Sequence, residues 1–315
     1  MSVIKQVAVI GAGTMGHSLA QVFAQGGYAV WLTDIDNAIL SKARHMIASN
    51  LKTLVETGCF PEAEVPAAIR RIRTTTRTEE AGQDADFVIE AIVEDIPAKQ
   101  EMFKTLDRVC PSHAILASNT SYLNIFQFVE TNRPEKVLIT HWFAPPHIIP
   151  LVEIVHGPRT SPETVEAVGD LILRLGKKPI VLSRFLPGFI ANRLQSALTQ
   201  EVLFLLDNGY ATAEDIDAAA KNSFALRTPI LGLVKRFDFA GLDLTQKILR
   251  NRQYEPPGVI DQSPHVDRLV AQGRLGAKTG CGFYDYGNRT TEEITKERDV
   301  KLIQLREYLR EIGEL

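Results

Sequence analysis

The chain has 315 residues, 45% of them hydrophobic and 23% charged, with a formal net charge of −3. That is the make-up of a globular protein with apolar side chains enough for two domains or one large one. The small net charge offers no basic face to nucleic acid or to a membrane surface, and no apolar run reaches the roughly 18 residues of a membrane span. The opening MSVIKQVAVIGAG runs straight into a glycine-rich turn, without the basic leader and cleavage site of a signal peptide. Cys59, Cys110 and Cys281 are far apart and lack metal-ligand spacing, which predicts reduced thiols in a cytoplasmic protein and no metal.

In chain order, short β-rich runs at 7–10, 29–33, 87–91, 114–118, 137–141, 152–155 and 180–182 alternate with helical stretches at 14–26, 36–57, 97–108 and 162–175. Such alternation predicts an α/β domain with a mainly parallel sheet. After SRFLPGF (183–189) the texture changes, and 188–208, 212–222, 240–252 and 263–273 read as helices. The expected architecture is a Rossmann-type domain over 1–186 followed by a smaller all-helical domain over 187–315. The charged tail 291–315 carries Val300, Ile303, Tyr308, Leu309 and Ile312 at helical spacing, so one amphipathic helix is expected, solvated or packed on its own domain or a second subunit.

Gly11-Ala12-Gly13-Thr14-Met15-Gly16 follows the first strand and opens the first helix, and Asp34 ends the next strand 18 residues after Gly16. Gly11 permits the tight turn, Gly13 lets backbone approach a pyrophosphate, and Gly16 lets helix and strand pack closely. The helix N-terminus offers amides and a positive dipole end to the anion. FAD uses the same fingerprint. Asp34 suits a free ribose diol and repels a 2′-phosphate, which favours NAD over NADP.

Of the histidines, His141 ends a strand where ligands of an open parallel sheet gather. Glu153 stands twelve residues on, beyond the turn FAPPHIIP, so a strand-turn-strand can return its carboxylate to the imidazole. Such a pair makes a histidine that takes a proton while the carboxylate supports its charged form. Spacing alone equally allows a buried structural histidine near an unrelated glutamate. His17, in the first turn of the cofactor helix, reads as a packing or phosphate-neighbouring residue.

At these residues the sequence resembles the L-3-hydroxyacyl-CoA dehydrogenase family. The blocks VIGAGTMGHSLAQVFAQGGYAV, VIEAIVEDIPAKQEMFKTLD, ASNTSYL, HWFAPPHIIPLVEIV, LPGFIANRL, DFAGLD and KTGCGFYDY follow its order from about residue 5 to 286. The resemblance implies His141 as general base, Glu153 as its partner, and Ser121 and Asn192 as residues that bind the substrate oxygen. It also implies cofactor contacts from Gly11, Gly13, Thr14, Met15, Gly16, Asp34, Glu94, Lys99, Asn119 and Lys278. The implied reaction is NAD-dependent interconversion of a short-chain L-3-hydroxyacyl-CoA and its 3-ketone, in fatty acid metabolism. Independently, a small domain of extended helices rarely buries all its apolar stripes alone, so a homodimer through the helical domain is expected.

Three positions depart from the family pattern. Ala144 replaces an Asn three residues after the histidine. Thr57 falls where relatives acting on CoA carry a Lys. Lys235 and Arg236 replace an acid and an apolar residue in GLVKRFD. These departures, with PPHIIPLVE and the charged tail, also suit the branch acting on free 3-hydroxy acids such as gulonate or carnitine. An alternative of another class is a non-catalytic, crystallin-like NAD-binding protein.

Overall fold

Strand β1 (Gln6–Ile10) is buried on both faces, with Val7 and Val9 directed to one side and Ala8 and Ile10 to the other. The four apolar residues in a row, Val7 to Ile10, are what a central parallel strand covered by helices requires. The chain continues through α1 (Gly16–Gln25), β2 (Ala29–Thr33), α2 (Asn37–Glu56), α3 (Val65–Arg71), β3 (Ile72–Thr75), α4 (Thr78–Gly82), β4 (Phe87–Glu90), α5 (Ile96–Val109) and β5 (Ile115–Ser118). It ends its sheet with β6 (Val137–Trp142), β7 (Leu151–His156), α6 (Pro162–Arg174) and β8 (Lys178–Leu182). This is a computed structural model that describes residues 4–252 and 254–315.

The eight strands lie in the order β3-β2-β1-β4-β5-β6-β7-β8, and every neighbouring pair is parallel except β6 with β7. The winding reverses between β1 and β4, which opens a crevice at the carboxyl ends of the strands where ligands of such sheets bind. One face packs Phe23, Leu40, Leu51 and Leu171 from α1, α2 and α6; the other packs Phe103 and Leu106 from α5. Side-chain caps set the helix starts: Asp36 accepts from the Ala38 amide, Asp95 from Ala98 and Ser161 from Thr164.

The Rossmann-type sheet and the helical remainder agree with the sequence reading. β3 and the short helices α3 and α4 were not anticipated. β3 is a four-residue edge strand, Ile-Arg-Thr-Thr, paired among the described residues with β2 alone, and it carries no apolar run to betray it.

The chain divides into compact units at 1–192 and 193–315. The first ends in the opening turn of α7 (Ala191–Asp207). The second continues with α8 (Ala213–Lys221), α9 (Phe224–Leu231), α10 (Lys235–Ala240), α11 (Leu242–Asn251), α12 (Pro264–Ala271) and α13 (Thr291–Glu311). α9 and α10 also escaped the sequence reading, because Pro229 lies inside α9 and Gly232 follows it. α13 opens with a Thr290–Glu293 capping box and buries Ile303 and Leu309, while Tyr308 and Ile312 remain exposed. Among the described residues no helix is long and apolar enough to cross a membrane.

Candidate active site

The three glycines of the first turn divide their tasks by space. A Cβ on Gly16 would lie 1.7 Å from the Gly11 carbonyl oxygen, and one on Gly11, where φ is +98°, would lie 2.6 Å from the Ala91 oxygen. Both positions therefore demand glycine for packing. A Cβ on Gly13 would meet nothing within 4 Å, and Gly13 and Thr14 are exposed. Gly13 thus leaves open space beside the turn, of the kind a pyrophosphate would need. Met15, the N-cap of α1, makes no side-chain capping bond, so that helix start retains anion-binding capacity. Asp34 accepts the Ala12 amide at 2.7 Å on one oxygen and the Ile35 amide at 2.8 Å on the other. Each carboxylate oxygen keeps a lone pair for a ribose hydroxyl. These features fit NAD. His17 Nδ1 donates to the Gly13 carbonyl, 2.8 Å away, and burial pushes its pKa down, so it packs beneath the turn.

At the far side of the crevice, β6 and β7 run antiparallel with His141 directly opposite Glu153. Residues directly opposite in such a pair share a face, and both side chains are buried. His141 Nδ1 lies 2.8 Å from Glu153 Oε2, while Oε1 accepts the Ile190 and Ala191 amides at 2.9 and 3.0 Å. Burial raises the Glu153 pKa, but the histidine and those two amides outweigh it and hold the carboxyl below the ordinary range. An ionised Glu153 can only accept, so Nδ1 carries the proton and Nε2 presents a lone pair. That lone pair faces Ser121 Oγ at 3.1 Å and Asn192 Nδ2 at 3.5 Å. Phe143 and Phe189 wall the ring, with centroids 4.5 and 5.1 Å away.

Asn119, just beyond β5, accepts the Trp142 amide at 3.0 Å through its side chain. Glu94 accepts Thr120 Oγ1 at 2.5 Å and the Ser121 amide at 2.8 Å. Its side chain is 39% exposed, which leaves it free to meet a ligand. Burial raises its pKa, and the bonds from Thr120, Lys99 and Ser121 bring it below the ordinary range. Lys99 is only 1% exposed, with Nζ 2.7 Å from Glu90 and 3.1 Å from Glu94. Lys278 lies in the second unit, exposed on the turn Ala277–Thr279. The sequence reading passed over Glu90, although an acid inside the apolar run FVIEAIV is the kind of residue that marks a site. Among the described residues no group of three metal-ligating side chains comes together.

A dinucleotide turn and a carboxylate-backed histidine on one Rossmann sheet define an NAD-dependent dehydrogenase acting on a CH–OH group. The chain belongs to the 3-hydroxyacyl-CoA dehydrogenase family: residues 6–185 match that family's NAD binding domain and residues 188–286 its C-terminal domain. It is 38% identical over 296 residues, 91% of this chain and 99% of the relative, to the Bacillus subtilis (strain 168) protein named "Probable 3-hydroxybutyryl-CoA dehydrogenase". It is 32% identical to the Mesorhizobium japonicum 5-formyl-3-hydroxy-2-methylpyridine 4-carboxylate 5-dehydrogenase, over 97% of this chain and 98% of that one. A solved structure of a 5-dehydrogenase of the same compound, described as an NAD+-dependent dismutase, has a TM-score of 0.87 at 31% identity and covers 98% of this chain and 99% of its own. The (S)-3-hydroxybutyryl-CoA dehydrogenase structure from Ralstonia eutropha has a TM-score of 0.71 at 33% identity, covering 90% of this chain and all of its own.

Proposed function

We propose that the enzyme interconverts a short-chain L-3-hydroxyacyl-CoA and its 3-ketone, with His141 as the acid–base residue. The observation that carries this reading is the Glu153–His141–Ser121 line, with the Nε2 lone pair turned toward two hydroxyl-binding side chains. In oxidation Nε2 takes the proton of the 3-hydroxyl, and Glu153 stabilises the imidazolium that results. Ser121 and Asn192 hold the oxygen as it becomes a carbonyl. NAD, when bound, accepts the hydride from C3. Gly11, Gly13, Thr14, Met15 and Gly16 would hold its pyrophosphate, Asp34 its ribose, and Glu94 and Asn119 its nicotinamide half. NADH formation from 3-hydroxybutyryl-CoA should fall by about 10²–10⁴-fold in His141→Ala. Unchanged turnover in that variant overturns the mechanism, and cofactor binding without turnover on any hydroxyacyl compound would favour the non-catalytic reading.

Two observations favour a second substrate reading, a free carboxylic acid. The relative that acts on a pyridine carboxylate matches almost the whole chain, whereas the family models stop at residue 286. In addition, Thr57, which falls where relatives acting on CoA carry a Lys, spends its hydroxyl on the Thr53 and Leu54 carbonyls and leaves Lys52 as the one Lys or Arg between Arg44 and Arg70. Assaying 3-hydroxybutyryl-CoA beside free hydroxy acids and an aromatic aldehyde carboxylate separates the two by kcat/KM.

The homodimer belongs to the same proposal. Leu226, Val234, Phe239, Leu242 and Leu249 of the second unit all stand at least 64% exposed, an apolar surface of the kind that partners cover. A monomer mass in sedimentation at micromolar concentration would refute it. The unpaired thiols support a reducing, cytoplasmic setting, which cell fractionation tests.

A further inference from the structure

Glu90 ends β4 wholly buried, yet neither the cofactor reading nor the proton chemistry uses it. Its Oε1 accepts Lys99 Nζ at 2.7 Å and the Ile92 amide at 2.8 Å, and its Oε2 accepts Ser118 Oγ at 2.6 Å. Ser118 Oγ in turn accepts the Thr120 amide at 3.2 Å. Lys99 bridges from Glu90 to Glu94, and Glu94 takes the hydroxyl of Thr120 and the amides of Ser121 and, at 3.4 Å, Tyr122. Thr120 Oγ1 also accepts the Leu123 amide at 3.0 Å. The Glu90 carbonyl receives the Asn119 amide at 2.7 Å. Ser118 is therefore tied to the Glu90 carboxylate, Thr120 and Ser121 to that of Glu94, and Asn119 to the Glu90 backbone, with one buried ammonium holding the two carboxylates together.

We infer that Glu90, Lys99 and Thr120 are positioning residues that fix the Ser121 hydroxyl against His141. The inference rests on the proposed role of Ser121 and deepens it. Two carboxylates drawn to one turn repel each other, and a buried carboxylate without a counter-charge is strongly disfavoured, so Lys99 is needed to hold both in place. The buried ammonium touches both carboxylates directly, and this role stands beside its expected contact with the cofactor. Ser121 carries one further tie, its carbonyl accepting the Gly188 amide at 3.2 Å, and a hydroxyl displaced by about 1 Å from a reacting oxygen costs on the order of 10²-fold in rate.

Thr120→Val removes the hydroxyl link while keeping the β-branched shape, and Thr120→Ser restores it. Thr120→Val should lower kcat about tenfold or more with NAD affinity, read by fluorescence titration, within twofold of the parent; Thr120→Ser should recover most of the loss. Glu90→Gln should behave as Thr120→Val does, and if it fails to fold the valine variant decides alone. A crystal structure of Thr120→Val should show Ser121 Oγ beyond hydrogen-bond reach of His141 Nε2. The inference is overturned if Ser121 stays in place there, if kcat holds within twofold, or if the loss appears wholly as weaker NAD binding. Ser121→Ala, assayed alongside, separates the two ideas. A loss in Ser121→Ala without one in Thr120→Val sinks the positioning role and spares Ser121. No loss in Ser121→Ala sinks the role of Ser121 itself, while the crystal structure still judges the positioning.

Discussion

Replacing Glu153 by Gln keeps the shape of the site and removes its charge. The amide can face only one way at a time. If its oxygen keeps the Ile190 and Ala191 amides, which Glu153 Oε1 now accepts at 2.9 and 3.0 Å, its NH2 is left facing His141 Nδ1. A donor there selects the tautomer with the proton on Nε2, and the lone pair that must take the substrate proton is gone. If the amide turns over, its NH2 meets two N–H groups. The first arrangement wins, because turning the amide over loses both bonds to the backbone amides. The variant also loses the charge-assisted bond that stabilises the imidazolium, worth about 1.5–3 kcal/mol. At about 1.4 kcal/mol per factor of ten, kcat for oxidation should fall by on the order of 10²-fold, with NAD affinity unchanged. Stopped-flow measurement of NADH formation at saturating substrate reads this directly. The stability consequence has a sign of its own. The Glu153 pKa is depressed in the folded chain, so its ionised form stabilises the protein above the ordinary carboxylate range, and that contribution is lost as pH falls through the depressed value. The stability gap between parent and Glu153→Gln should therefore be full at pH 7 and close in acid. Retention of kcat within threefold would refute the assigned tautomer.

Other outcomes follow from the same geometry. Gly16→Ala places a carbon 1.7 Å from a backbone oxygen and should cost about 3 kcal/mol or more, seen as a Tm lower by about 6 °C or more. Gly13→Ala adds its carbon to open space, so Tm should hold while NAD affinity drops about tenfold or more; equal effects of the two substitutions would contradict the division of roles. Asp34→Ser should weaken NAD about tenfold and narrow the preference over NADP, measured as the ratio of kcat/KM values. Asp107 accepts Thr131 Oγ1 at 2.5 Å, the Asn132 amide at 3.0 Å and Arg133 Nε at 3.1 Å; burial raises its pKa, but these partners bring it below the ordinary range. Asp107→Asn should cost about 3 kcal/mol at pH 7 in urea unfolding, and the deficit should shrink as pH falls toward 3, because the parent then loses what its carboxylate supplied.

What could be read in advance was what local sterics or strand register impose. The glycine turn is legible because two of its positions tolerate no Cβ and the helix start follows within the same six residues. His141 and Glu153 are legible because a turn between two apolar runs returns the chain on itself, although spacing left the contact only possible. The Glu90–Lys99 pair was not legible. Its carboxylate sits on a strand, its ammonium on a helix and its third partner, Ser118, 28 residues away on the next strand, and no periodic pattern links the three. β3 was missed for the opposite reason, since a polar edge strand owes its form to the neighbour it pairs with rather than to its own residues.

The antiparallel pairing of β6 with β7 lets the loop between them vary while His141 and Glu153 keep their register. A parallel β7 would need a crossover of a dozen residues or more. Here the segment 143–150 suffices, and sheet register alone sets His141 opposite Glu153. The loop is held separately: Lys177 Nζ donates to the Pro146 and Ile149 carbonyls at 2.5 and 2.9 Å, and Ser18 Oγ lies 2.7 Å from His147 Nδ1. Ala144 lies exposed on this loop and contributes no side-chain hydrogen bond to either the dyad or these anchors. The His141–Glu153 contact depends on the sheet, whereas the loop beside it rests on anchors of its own.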